Sequence, residues 1–260
     1  AVVDSGTNGL KRITLTTGVI TVGGNLSVTA AAATADTGDA TVSITTGRIT
    51  VTGNTTVTGG TTANRDALLT VTGAGAVGQG VNIGGTLNIV APTVAGSATV
   101  STTNATSRIT VSGAGGINNG DTLSVGVGLV SVTNAAATLT TTNTSGIAAT
   151  TSVTTGTLAI AGNAVVDSGT NGLKRITLTT GVITVGGNLS ITAAAATNNG
   201  GDATVSVTTG RITVTGNVDL TGGSNTNRDA LLTVTGATIL GNGVNIGGTL
   251  NIASTVAGSS

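Results

Sequence analysis

Along most of the chain, aliphatic and small polar residues alternate at every second position. In residues 39–46 (DATVSITT) the aliphatics are Val42 and Ile44, and in 47–53 (GRITVTG) they are Ile49 and Val51. In an extended strand a period of two sends these side chains to one face, and Thr41, Ser43, Thr45, Thr50 and Thr52 to the other. Such runs recur throughout, bounded by Gly, Asn and Asp, and no helical period competes with them. Short strands with a single apolar face are therefore expected from end to end.

The pattern repeats at two lengths. Residues 1–27 return unchanged as 164–190, and 1–89 align with 164–252 without a gap, 74 of the 89 positions being identical. Within this long repeat a shorter one is legible in NLSVTA at 25, NTTVTG at 54, TLNIVA at 86, TLSVGV at 122, TLAIAG at 157 and NLSITA at 188. Their spacings are 29, 32, 36, 35 and 31 residues, so the 163-residue repeat reads as five coils. Each coil holds three strand-like pieces, for example 25–30, 39–46 and 47–53.

Three short strands with one aliphatic face each describe a triangular coil. Stacked coils pair strand on strand in parallel and enclose a narrow aliphatic column. The expected fold is all-β: a three-sided parallel β-helix (β-solenoid) of about eight coils of roughly 32 residues, filling residues 1–260 as a single continuous unit. The long repeats are 1–163 and 164–260, the second incomplete. One interior wall is expected to contain Leu26, Val57, Ile89, Val125, Ile160 and Ile191, and Leu26, Leu87 and Leu158 are expected in one interior row. Paired glycines such as Gly23–Gly24, Gly59–Gly60 and Gly84–Gly85 mark sharp corners. Variable segments rich in Asn, Gly and Asp, and Pro92, belong to surface loops.

Composition sharpens this picture. The chain has no Phe, Tyr, Trp, Met, Cys or His, so its interior is built from Val, Ile, Leu and Ala. A column repeated coil by coil has no room for a ring in one coil alone. Nine basic residues balance nine aspartates, which leaves no basic footprint for nucleic acid and none for an anionic membrane. No apolar run is long enough for a spanning helix, so membrane insertion is not expected. Ala1 does not begin a signal peptide, and any export signal is expected outside this chain. Regularly spaced aliphatics also separate the chain from disordered Gly/Thr-rich tracts.

The inventory for chemistry is thin. Without His, Glu or Cys, and with Lys only at 11 and 174, Ser and Thr nucleophiles have no evident base, so no enzyme is expected and no catalytic or cofactor-binding residue is assigned. Asp39 and Asp66 fall at equivalent positions of neighbouring coils, as do Asp202 and Asp229. Such a pair can hold Ca²⁺, or can simply be compensated by Arg65, Lys11 or Arg12 at a corner. Calcium at Asp39/Asp66 is the only cofactor considered; no six-oxygen loop supports it, so no metal site is assigned. GAGAVGQG (73–80) and GAGG (113–116) lack a following helix and GK[ST], and read as corners. Arg48, Arg108 and Arg211 are expected to face outward. The sequons at Asn25 and Asn54 fall at strand starts.

Through GRITVTGN, GNLSVTA and NIGGTLNI the chain resembles the β-helix passengers of bacterial surface proteins of the filamentous-haemagglutinin-like, β-strand-repeat kind. The resemblance covers nearly the whole chain and implies a right-handed coil and an extracellular or cell-surface location. The chain is read as beginning in a loop (1–9) and ending in another, with no obvious cap. Bare edges invite pairing with another copy, end to end. The expected role is a structural segment of an adhesin or matrix fibre, each coil adding about six buried aliphatics at about 1.5 to 3 kcal/mol before entropy. A second reading uses outward threonines (Thr14 and Thr16, Thr41 and Thr45, Thr70 and Thr72, Thr99 and Thr103, Thr138 and Thr140, Thr177 and Thr179) to bind ice or carbohydrate, with surface glycans as ligands. A third, a polysaccharide-processing β-helix enzyme, would rest on Asp66 and Asp229.

Overall fold

A computed structural model describes residues 1–6, 10–30, 38–62, 65–73, 79–93, 95–143, 146–169, 172–193, 201–224, 228–236 and 241–253. Among them there is no helix, and 28 strands form three parallel sheets of ten, nine and nine strands. Each strand pairs with the strand three places later in the chain, so consecutive strands occupy successive sides of a triangle. The expected three-sided parallel β-helix is what the sequence forms. In the second sheet, Lys11–Leu15 and Ala230–Val234 lie eight turns apart.

The face assignments follow the alternation. Leu26, Val28, Val42, Ile44, Ile49 and Val51 are buried, and Thr41, Ser43, Thr45, Thr50 and Thr52 are turned toward solvent. The interior is one continuous aliphatic cluster running from Val3 to Ala230. β-branched residues dominate it because two such strands meet with little side-chain entropy to lose.

The phase of the coils differs from the sequence reading in the middle of the chain. Thr122–Val125 pairs with Ala98–Thr102 in the second sheet, and Thr157–Ile160 pairs with Leu129–Val132 in the third. Neither belongs to the first sheet, whose strands there are Ile117–Asn119, Thr138–Thr141 and Asn163–Asp167. Following the first-sheet row from Val3 through Val28, Val57, Ile89, Asn119 and Thr141 to Val166 takes six turns, so the long repeat holds six turns rather than five. Turn length along this row runs from 22 residues (Asn119 to Thr141) to 32 (Val57 to Ile89).

Two expected rows change accordingly. Leu26 and Leu87 share a row through Thr55, whereas Leu158 lies in the third sheet. Val57, Ile89 and Ile191 share the neighbouring row; Leu26 sits beside it, and Val125 and Ile160 lie on other walls. The start of the chain is also not a loop, since Val2–Asp4 forms a strand on Leu26–Thr29 with Val3 inward. Three residues without a full alternation gave no strand signal. The segments 7–9, 74–78 and 254–260, which contain parts of the expected first loop, the GAGAVGQG corner and the chain end, lie outside the described residues.

The corners use glycine for closeness more than for a left-handed backbone. Gly84 and Gly85 have no positive φ, but a Cβ on Gly85 would strike the Asn54 side-chain oxygen and one on Gly84 the Thr52 carbonyl of the turn before. At Gly80 both reasons apply: φ is 98° and a Cβ would meet the Arg108 carbonyl.

Candidate functional site

The aspartates at the start of the second-sheet strands stand on adjacent turns, as their spacing implied, and their oxygens serve the backbone. Asp39 Oδ1 accepts the amide of Asp66 at 3.2 Å, and Asp66 Oδ1 accepts the amide and hydroxyl of Ser97 at 3.1 and 2.7 Å. In the second copy Asp202 accepts the amide of Asp229 at 3.1 Å. Two turns above Asp66, Asp121 accepts the amide of Ala98. Burial pushes the Asp121 carboxyl above the usual range; the Ala98 and Thr122 hydrogen bonds oppose that shift and the nearby Asp66 adds to it. No group of three or more His, Cys, Asp or Glu side chains gathers among the described residues.

A second ladder lines the corner before the first sheet. Asn25 accepts the amide of Asn54, Asn54 that of Thr86, Asn163 that of Asn188, Asn188 that of Asn217, and Asn217 that of Thr249, all at 2.9 to 3.0 Å. Each bond crosses from one turn to the next and satisfies an amide that the corner removes from the sheet. The residue before each donor is a glycine whose Cβ would collide with that asparagine oxygen. The recurring Gly-Asn dipeptides at 24, 53, 162, 187 and 216 were the legible signal of this device. The side chains of both sequon asparagines are thus engaged with backbone.

Among the described residues three cations are buried. Arg65 and Arg228 lie beneath the connection between the first and second sheets and reach two turns back, with Nη1 3.2 Å from the carbonyls of Gly6 and Gly169. Lys174 Nζ donates to the Ile147 carbonyl at 2.6 Å and to Gly172 at 3.3 Å. Burial lowers its pKa to about 8; Asp167 opposes the shift and Arg228 adds to it. Its twin Lys11 is exposed, whereas Lys174 lies against Ala149 of the neighbouring turn. Nothing in the local sequence separates the two lysines.

The outer faces carry hydroxyls. In the second sheet one row runs without a break through Thr14, Ser43, Thr70, Ser101, Ser124, Ser152, Thr177, Ser206 and Thr233. Ser101 Oγ donates to Thr70 at 3.1 Å. The expected pair Thr138 and Thr140 belongs to the first sheet instead. Arg48 and Arg211 are exposed and Arg108 is half-buried, all on the outside of the third sheet. A groove of about 500 Å³ crosses the first sheet, with Asn88 and Asn118 on its floor, joined at 2.9 Å, and Val90, Pro92 and Asn143 at its wall.

Fold and surface together define a three-sided parallel β-solenoid repeat protein whose polar side chains chiefly join one turn to the next. No family model matches this chain, and no curated protein or solved structure matches it.

Proposed function

We propose that the chain is a structural segment of an extracellular bacterial adhesin or matrix fibre, of the kind the filamentous-haemagglutinin-like resemblance suggests. It acts as a rod that gains length and cohesion by adding turns, and works without catalysis or a cofactor. One observation carries this reading: the second long repeat continues the first without a break. Asn163–Asp167, Lys174–Leu178 and Val182–Val185 pair in full register on the sixth turn of the first repeat. A protein built this way lengthens by duplication, each repeat of six turns adding about 29 Å at the parallel-sheet spacing. End-to-end association with further copies extends the same geometry.

The test is a series of chains with one, two and three added long repeats, measured by solution X-ray scattering and electron microscopy. The rod reading requires the longest dimension to grow by about 29 Å per repeat at constant width. Growth in width, or no regular growth, would overturn it.

A second reading is supported by the nine-rung hydroxyl row on the second sheet: a flat face that binds ice or the hydroxyls of a glycan. Thermal hysteresis and glycan binding that vanish on replacing both Thr70 and Thr177 by tyrosine would favour it, and their absence in the parent chain would remove it.

A further inference from the structure

One strand of the third sheet is nearly bare on its outer side. In Gly80–Ile83 the inward positions are Val81 and Ile83, which leaves Gly80, Asn82 and, just past the strand, Gly84 on the outward ones. The strands on either side carry full side chains at the matching places: Arg48, Thr50 and Thr52 on one, Arg108, Thr110 and Ser112 on the other. A trough therefore runs along the middle strand, its flanking backbones two strand spacings, about 10 Å, apart. Contacts between turns hold both glycines in place, since a Cβ at Gly80 would meet the Arg108 carbonyl and one at Gly84 the Thr52 carbonyl. The first two strands of the arrangement recur in the second copy as Arg211 and Thr213 beside Gly243 and Asn245.

Charge and hydrogen bonding make this trough a receptor. Among the described residues no strand of the third sheet carries a carboxylate. The guanidinium groups of Arg48 and Arg108 have no hydrogen-bond or ion-pair partner there, and neither have the side chains of Thr50, Asn82 and Thr110. Two arginines that face one gap with no acid between them draw an anion into it, and each planar fork offers paired N–H donors to a carboxylate. Beside them the trough opens into a groove of about 260 Å³ with Asn82 on its floor and Thr50 and Thr110 on its sides. An amide both donates and accepts, as do the hydroxyls around it, so the groove matches a ring that bears adjacent hydroxyls.

We propose that the trough between Arg48 and Arg108 binds a hexuronate residue of an acidic polysaccharide, its carboxylate over Gly80 between the two guanidinium groups and its ring hydroxyls against Thr50, Asn82 and Thr110. A neutral sugar would leave both cations uncompensated. A nucleic acid, with its closely spaced phosphates, calls for an extended basic footprint that this chain lacks. The site lies on a different side of the triangle from the hydroxyl row of the second sheet, and it goes beyond the rod reading by giving the rod an attachment point for an acidic glycan.

The test is an NMR titration of the 260-residue chain, following the backbone amides of Gly80 and Asn82, at low ionic strength so that surface charges are little screened. The probes are a trisaccharide of glucuronic acid and its methyl ester, which keeps every ring hydroxyl and carries no charge. The parent is compared with the double variant Arg48→Gln and Arg108→Gln, and with the second-sheet double variant Thr70→Tyr and Thr177→Tyr, each checked for fold by circular dichroism. The acid is expected to shift both amides of the parent, the ester to bind at least tenfold more weakly, the arginine variant to lose at least tenfold in affinity for the acid, and the second-sheet variant to bind as the parent does. Equal binding of acid and ester, no binding by the folded parent, or undiminished binding by the arginine variant overturns the proposal. Loss of binding in the second-sheet variant alone overturns it too, by placing the glycan on the hydroxyl row. The length test of the rod is independent of all these results.

Discussion

The ammonium of Lys174 donates to the carbonyl oxygen of Ile147 at 2.6 Å, across the boundary between the two long repeats. Burial holds its pKa near 8, while a lysine in the unfolded chain titrates near 10.5. Between those values the unfolded chain keeps a proton that the folded chain has released, so stability rises with pH across this window. Below pH 8 both states are protonated and the group contributes no slope. Urea midpoints measured from pH 7 to pH 10.5 are expected to climb in the parent protein and to stay level for this group in Lys174→Met. Lys11→Met is expected to leave the climb intact; its loss in that variant would mean the slope arises elsewhere.

Thr55 and Val218 occupy the same position in the two copies, facing inward, and the Thr55 hydroxyl is buried without a partner. Thr102 is in the same condition. A lone buried hydroxyl costs about 1 to 3 kcal/mol, and an isosteric methyl removes the cost. Thr55→Val is therefore expected to stabilise the protein by about 1 kcal/mol or more, as the second copy has already arranged. Denaturant melts check this, and a lower midpoint for Thr55→Val would show that the hydroxyl is satisfied.

Asn188 sits in the middle of the asparagine ladder: its backbone amide donates to the Asn163 side-chain oxygen, and its own side-chain oxygen accepts from the Asn217 amide. Asn188→Ala leaves that amide unpaired at a corner and is expected to cost about 1 kcal/mol or more. Asn188→Asp keeps an acceptor at the same place and is expected to cost less. Thermal melts of both variants would contradict the ladder if the aspartate were the worse of the two. Gly216→Ala is expected to be damaging for the same reason, since its methyl would displace the Asn188 oxygen.

Alternation made the inward and outward sides of each strand legible, because burial in a thin column leaves no other solution for Val42, Ile44, Ile49 and Val51. The side of the triangle was not legible in the same way. All three sheets use one alternating pattern, so TLSVGV at 122 and TLAIAG at 157 matched the first-sheet motif while lying in the second and third. Short tight turns at 104–107, 113–116 and 134–137 compress the coil there and admit an extra turn. The buried cations were hidden for a different reason. Whether Lys174 or Lys11 is covered depends on the turn beneath it, and no property of KRITL itself records that neighbour.

Asn119, Thr141 and Thr151 interrupt the aliphatic column in the fifth and sixth turns, and they satisfy one another. Asn119 Nδ2 donates to the Thr151 hydroxyl and to the Thr150 carbonyl, each at 2.9 Å, and the Thr141 and Thr151 hydroxyls meet at 2.9 Å. Thr151 is thus the hub of a buried network, whereas Thr102 is an isolated hydroxyl in the same sheet. The same substitution must then act in opposite directions at the two sites. Thr102→Val is expected to raise stability, and Thr151→Val to lower it by about 1 to 3 kcal/mol, because the buried Thr141 hydroxyl loses its partner and Asn119 loses one of its two. Replacing Asn119 and Thr141 by leucine and valine together with Thr151→Val is expected to recover most of the loss, since an apolar column has no group left to satisfy. Chemical denaturation of the three proteins decides the matter, and a loss at Thr102 equal to that at Thr151 would show that interior hydroxyls here are not distinguished by their partners.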